Sequence, residues 1–391
     1  MANMAKPVFL VASFPYTRDI SRPEDWDFVR RKFERDFPWL LTDEYPVMMC
    51  GVGQGWSGTR CNGRICARAG AKATENLLLD AVMAYRAHFT EGLRVAHNGL
   101  VIGIAATPES GLGLALARAI YPKKMRLVVR VQGNTSSKPL LVHQRRWRGK
   151  MLEFVESFVL KRADLVLPMG KFTKELALKR GADLSKIIPL PFPVRWADRA
   201  HVTPLPPEPA VLFAGRLEKE KGVHILLDAM AIAVKRLPQA RLMVAGDGPY
   251  RPVLEAKVKQ LGLCSRVSFL GWLKPERLQR AYAESWVLVL PSIWEEGLGM
   301  VLVEAGLMGR PVIGSDLGGI RDIIQHGHNG LLVPPGDAER LADAIVTVLT
   351  NPGWAWQMGQ ANRQVAWSYL STRDEALERV RRAILSWVQG Q

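Results

Sequence analysis

The chain is predicted to fold as two α/β domains, each a doubly wound sheet, on three observations. At 391 residues it exceeds what one ordinary core accommodates. Short apolar runs rich in Val, Ile and Leu recur along it, each stopped by Gly or Pro and followed by a helix-like stretch. Runs of that kind read as buried parallel strands. The third observation is the segment His201–Pro209, with four prolines in nine residues, which has the composition of a stiff, extended linker. The expected domains are residues 1–198 and 210–367, joined by a linker over 199–209.

In chain order, the first half reads as strands at Lys6–Ser13, Pro46–Cys50, Val101–Ala105, Arg126–Val131, Ala163–Pro168 and Ile187–Leu190. Helices are expected at Lys72–Phe89, Gly111–Ile120, about Arg146–Leu160 and Lys171–Arg180. Gly51, Gly53, Gly55 and Gly58 imitate a dinucleotide fingerprint, but no apolar helix opens within the run, so it reads as a flexible loop. Asp25-Trp26-Asp27 spells a metal-binding pattern. It precedes a helix-like run rather than following a strand, so these acids fit a helix N-terminus, and no metal site is expected. The second half gives strands at Ala210–Ala214, Arg241–Ala245, Val267–Leu270, Trp286–Leu290 and Pro311–Gly314. Its helices are expected at Val223–Arg236, Met300–Met308, Ala338–Leu349 and Trp354–Gln389.

Composition narrows the function. Apolar residues make up 48% and charged residues 23%, the balance of a folded, water-soluble chain. No apolar run approaches the ~20 residues of a membrane span, and the N-terminus lacks a signal pattern. Cys50, Cys61, Cys66 and Cys264 form neither a CxxC pair nor an extracellular framework, which points to reduced thiols in the cytoplasm. The net charge of +16 suits an anionic partner. Part of it is local: from Tyr121 to Lys150 there are nine cations and no acid, and Trp147, Phe154 and Phe158 follow. Such a basic, aromatic helix suits an anionic membrane face, although a solvated basic face has the same composition. Nucleic-acid motifs are absent.

Two places carry candidate chemistry. Strand Ala210–Ala214 exits into Gly215 and Arg216, with Lys221 five residues on, just before a helix. Two cations at a strand end beside a helix N-terminus suit a diphosphate that gains charge as it leaves. The second place is the stretch Trp286–Gly319, a strand, a loop with Glu296, and a helix with Glu304. A helix N-terminus at a strand exit favours phosphate. Carboxylates there suit hydroxyl groups of a sugar or ribose instead.

PSIWEEGLGMVLVEAGLMGRPVIGSDLGG and GRLEKEKG together resemble the signature of retaining GT-B glycosyltransferases, family 4. The resemblance implies two facing Rossmann-like domains, with a C-terminal helix over about 368–391 packing back on the first. It implies that Arg216 and Lys221 neutralise the leaving diphosphate, that Glu296 holds donor-sugar hydroxyls, and that Glu304 holds the ribose. Gly215, Gly297, Leu298, Gly299, Met300 and Val301 would meet the diphosphate side of the donor, and Trp272 and Leu273 the base. Neither a metal nor a cofactor is implied, the nucleotide sugar being a substrate.

The first half departs from the family pattern. No Gly-Gly turn follows the first strand, where Arg18 stands instead, and Gln132 occupies a position where many members carry His. Gln132 donates a hydrogen bond but carries no proton to transfer; His97 is an alternative partner for the sugar. The implied activity is sugar transfer to a hydroxyl of a saccharide or lipid-linked acceptor in cell-surface polysaccharide or glycolipid synthesis. The implied location is the cytoplasm, peripheral at the inner membrane face. A non-catalytic nucleotide-sugar scaffold and a GT-B epimerase are the alternatives.

Overall fold

The computed structural model describes residues 8–17, 47–53, 58–62, 65–72, 86, 89–90, 100–134, 146–194 and 196–389; up to residue 72, and over 146–148, it describes the backbone alone. The first sheet holds β1 (Val8–Thr17), β2 (Val47–Gly53), β3 (Gly58–Asn62), β4 (Ile65–Lys72), β5 (Leu100–Ala105), β6 (Met125–Val131) and β7 (Leu165–Pro168). Their spatial order is β3-β4-β2-β1-β5-β6-β7, parallel except for β3, which runs antiparallel to β4. The second sheet is wholly parallel: β8 (Ala210–Ala214), β9 (Arg241–Ala245), β10 (Val267–Gly271), β11 (Val287–Leu290), β12 (Val312–Ser315) and β13 (Gly330–Val333). Its order, β10-β9-β8-β11-β12-β13, reverses direction between β8 and β11, the switch point where an open α/β sheet offers a ligand crevice.

Helices cover the sheets. They are α1 (Leu112–Ile120), α2 (Arg146–Arg162), α3 (Lys171–Lys179), α4 (Val223–Arg236), α5 (Arg251–Gln260), α6 (Pro275–Ala283), α7 (Met300–Leu307), α8 (Ile320–Ile323), α9 (Ala338–Thr350) and α10 (Pro352–Gln389). One face of the second sheet packs Val211, Phe213, Val244 and Val289 against Leu226, Met230, Leu341 and Ile345 of α4 and α9. The other packs Leu212, Leu288 and Val312 against Leu302 and Val303 of α7. Burial on both faces is why these strands are unbroken apolar runs rather than alternating ones.

Three expectations are corrected. The Gly51–Gly58 stretch is not one loop: Gly51 and Gly53 lie in β2, and Gly58 opens a hairpin, β3–β4, that extends the sheet. Lys72 closes β4 rather than opening a helix; helix is described at residues 86, 89 and 90, and the rest of that expectation lies outside the described residues. Ile187–Leu190 is not a full strand. It runs beside β7 with one bridge, Val166 to Ile187, plus bonds from Ile188 N to Val166 O and Leu190 N to Pro168 O. Pro189 and Pro191 have no N–H to extend the ladder. β1 also continues past Ser13 to Thr17, with a register shift before Tyr16. The expected helix over residues 28–37 lies outside the described residues.

Among the described residues, three of the contacts that hold the linker and the two halves together stand out. Arg310, fully buried, donates five hydrogen bonds: to Tyr282 O, Ala283 O, Thr203 O, Thr203 Oγ1 and Pro204 O. It fastens the linker to the end of α6, and burial pulls its pKa down to about 10. The 38-residue helix α10 packs on α7 and runs on to the first half, where the Tyr369 hydroxyl accepts from Phe192 N at 3.0 Å. The third tie is a borrowed helix cap. Asp322 of α8 accepts from Phe172 N at 2.9 Å, at the N-terminus of α3. Gly170 makes room for it, since a Cβ there would lie 2.6 Å from the Asp322 carboxylate oxygen.

Candidate functional site

A cavity of about 620 Å³ opens between the two sheets. Gln132 and Met169 line it from the first half, Phe192 to Val194 and Trp196 from the connecting segment, and the exits of β8 and β11 from the second. The β8 exit contributes Gly215, Arg216 and Lys221; the β11 exit contributes Glu296 through Val301 and Glu304. These are the two loops at the switch point, so the topology alone brings both sequence motifs to one place.

Lys221 and Glu296 form the centre of charge. Lys221 Nζ lies 2.7 Å from Glu296 Oε1, with side chains only 15% and 8% exposed. Ser292, fully buried, donates its hydroxyl to the same oxygen at 2.5 Å. A short helical turn over Lys219–Lys221 sets the Lys221 position, and the Pro291–Ser292 break after β11 sets the other two. Among the described residues only Lys221 and Ser292 hydrogen-bond the Glu296 carboxylate, both at Oε1. Beside the pair, Gly299 adopts a left-handed conformation (φ 82°) and starts α7, whose first N–H groups border the cavity. Arg216 also lines the cavity; it is 57% exposed and pairs with Glu218 at 2.6 Å.

Glu304 lies one turn into α7. The hydroxyl of Tyr282, a fully buried residue of α6, donates to its Oε2 at 2.8 Å. Burial raises the Glu304 pKa from 4.5 to about 7, against the lowering effect of that hydrogen bond. The Tyr282 phenol is pushed well up by burial and by the neighbouring carboxylate.

The two halves meet closely at the cavity rim. A Cβ on Gly297 would lie 1.7 Å from the backbone oxygen of Gln132. Asn134 donates to Glu295 across the same seam. Gln132 itself turns its amide back to Ala106 O at 2.8 Å.

Comparison with known proteins bears on this arrangement. Residues 194–365 match the family model described as Glycosyl transferases group 1. Sucrose-phosphate synthase from Thermosynechococcus elongatus superposes with a TM-score of 0.73 at 23% identity, over 97% of this chain and 100% of that one. Anabaena HepE, solved in complex with UDP-glucose, superposes with a TM-score of 0.70 at 19% identity, over 95% and 99%. The fold is GT-B. In sequence, the alpha-D-kanosaminyltransferase of Streptomyces kanamyceticus is 37% identical over 144 residues, 37% of each chain. Matches of this kind span between 37% and 49% of the length of the first curated relatives.

The GT-B cleft gathers every second-half residue singled out from the sequence: Gly215, Arg216, Lys221, Trp272, Leu273, Glu296 to Val301 and Glu304. Gln132 joins them from the first half. Arg18 and His97 lie outside the described residues, as does the Asp25–Asp27 pair. Among the described residues no group of three or more His, Cys, Asp or Glu gathers as a metal site. Trp272 stands 73% exposed at the cavity mouth. Ser292, Tyr282 and the wall of Phe192 to Val194 with Trp196 were not anticipated. Ser292 follows a strand-ending proline and Tyr282 lies in an unremarkable amphipathic helix, so only the folded contacts single them out.

Helix α2 forms where expected, but of the nine cations between Tyr121 and Lys150 it carries only Arg146, Arg148 and Lys150, Arg126 and Arg130 lying in β6, and it divides its aromatics. Phe154 is 71% exposed beside Lys150 and Met151, whereas Phe158 packs toward the core with Arg162 stacked on it at 3.7 Å. The side chain of Trp147 lies outside the described residues. No described helix is long and apolar enough to cross a membrane.

Proposed function

We propose that this protein transfers a sugar from a nucleoside diphosphate sugar to a hydroxyl acceptor, with retention of anomeric configuration and without a metal. The observation that carries the reading is the Lys221–Glu296–Ser292 group at the start of α7, in one cavity with Glu304. The similarity of residues 194–365 to glycosyl transferases group 1 supports it, as does the UDP-glucose bound by the HepE structure.

In this reading the bond from the anomeric carbon to the β-phosphate oxygen breaks, and its electron pair leaves with the diphosphate. Lys221, Arg216 and the α7 N-terminus stabilise the added charge. The acceptor oxygen bonds to the anomeric carbon on the same face, and its proton passes to the departing phosphate oxygen. Glu296 orients the sugar through Oε2, Glu304 accepts from the ribose, and Trp272 and Leu273 border the base. Residues 1–198 present the acceptor and residues 210–367 hold the donor. The exposed Lys150, Met151 and Phe154 of α2 dock an anionic membrane surface, which favours a lipid-linked glycan acceptor at the cytoplasmic face, in cell-surface polysaccharide or glycolipid synthesis.

The test is a panel of UDP-, GDP- and ADP-sugars with EDTA present, following nucleoside diphosphate release and the product's anomeric configuration by NMR. One donor should be consumed in the presence of chelator with its α or β configuration kept. Inversion, or activity only with added divalent cation, would overturn the mechanism. Binding without turnover, across acceptors presented in anionic vesicles, would favour the scaffold reading instead.

A further inference from the structure

Tyr282 lines no part of the cavity, yet it makes the sole hydrogen bond to the Glu304 side chain among the described residues. A glutamate has three rotatable side-chain bonds, and at a cleft surface it samples several rotamers. Tyr282, by contrast, is held at every level. Its backbone oxygen accepts from Arg310 at 2.9 Å, and its ring is fully buried against Trp196, 6.2 Å between centroids. Its hydroxyl reaches Glu304 Oε2 at 2.8 Å and Val301 O at 3.4 Å, the latter in the first turn of α7. One rigid phenol therefore fixes both the carboxylate and the helix turn beside it.

We propose that Tyr282 is a positioning residue that gives the cleft its preference for a ribonucleotide. By occupying Oε2 of Glu304, it leaves Oε1 turned to the cavity in a single orientation, set to accept from ribose hydroxyls. The inference rests on the reading of Glu304 as the ribose ligand. Preorganisation is what converts such a contact into discrimination, because a carboxylate free to rotate adapts to water when a hydroxyl is missing. Tyr282→Phe removes only the hydroxyl and keeps the ring packing and the bond from Arg310.

The experiment is calorimetric titration of wild type, Tyr282→Phe and Glu304→Ala with UDP, GDP and ADP and with their 2′-deoxy counterparts. For the nucleotide that binds, wild type should prefer the ribo form by about tenfold, the scale of one charge-assisted hydrogen bond. Glu304→Ala should abolish that preference. Tyr282→Phe should cut it at least about threefold while changing affinity for the 2′-deoxy form less than about twofold. Full preference retained in Tyr282→Phe, with Glu304→Ala lacking it, overturns the role of Tyr282 alone. Equal weakening toward both forms means a merely structural role and also overturns it. Equal binding of both forms by wild type, or no binding, overturns the ribose reading of Glu304 and this inference with it.

Discussion

Gly297→Ala tests whether the cavity functions with its two halves in the rim contact described above. The substitution puts a Cβ 1.7 Å from the Gln132 backbone oxygen, 2.6 Å from its carbon and 3.1 Å from Gly133 N. All three neighbours are backbone atoms of the first half, so no side chain can swing away. Restoring ordinary contact at 3.4 Å requires the two halves to part by about 1.7 Å at this point. The φ of Gly297 is not in the left-handed region, so the second half by itself accommodates alanine. Misplacement of reacting groups by about 1 Å costs on the order of 10² in rate. Gly297→Ala should therefore lower kcat by about 10²-fold or more, read as nucleoside diphosphate release at saturating donor. Turnover within about threefold of wild type would refute the reasoning, because it would show that the Gln132–Gly297 seam need not close for catalysis.

Lys221→Ala and Arg216→Ala should each lower kcat by about 10²–10³, the scale for removing one preorganised charge-stabilising group; near-normal steady-state turnover in both would remove them from the mechanism. Nucleotide affinity should fall as pH drops through about 7, where Glu304 takes up its proton and stops acting as a carboxylate acceptor; Glu304→Gln should flatten that profile. The same group acts oppositely on the unliganded fold. Its folded pKa is raised from 4.5, so the native state binds the proton first, and this contribution to stability grows as pH falls from about 7 toward 4.5. A melting-temperature series against Glu304→Gln shows it. Arg310→Met leaves the carbonyls of Thr203, Pro204 and Ala283 without their buried donor, Tyr282 O keeping Ser285, and should cost about 3 kcal/mol or more in urea unfolding; a loss under about 1 kcal/mol would show that water replaces it.

The second half was legible because its central strands are buried on both faces and its loops carry the charged residues that line the cavity. Ala210–Ala214, Val223–Arg236 and Arg241–Ala245 fall where the apolar runs place them. Arg216, Lys221, Glu296 and Glu304 stood out as charged residues at strand exits and helix starts, and the resemblance of their two motifs to the GT-B signature singled them out. The first half misled where glycine and proline have several meanings. Gly51 and Gly53 sit inside β2 because a strand among neighbours tolerates missing side chains, and Pro189 and Pro191 ended a ladder that the flanking Ile and Leu suggested. Ser292 and Tyr282 were illegible for a different reason. Their importance lies in which carboxylate they meet, and the Tyr282 contact spans 22 residues that the sequence does not visibly connect.

The cap that Asp322 supplies to α3 lies 150 residues along the chain from the amide it satisfies. A recombined gene that joined this first half to a relative's second half would keep both sheets and both cores. It would lose the acid that completes α3 unless the incoming half carried a carboxylate at the place of Asp322. Gly170 would then face an empty notch, and the amides of the first turn of α3 would turn to water. The two halves of this chain are thus not independently exchangeable parts; they share one helix end, and well-folded hybrids should inherit residues 170 and 322 as a pair.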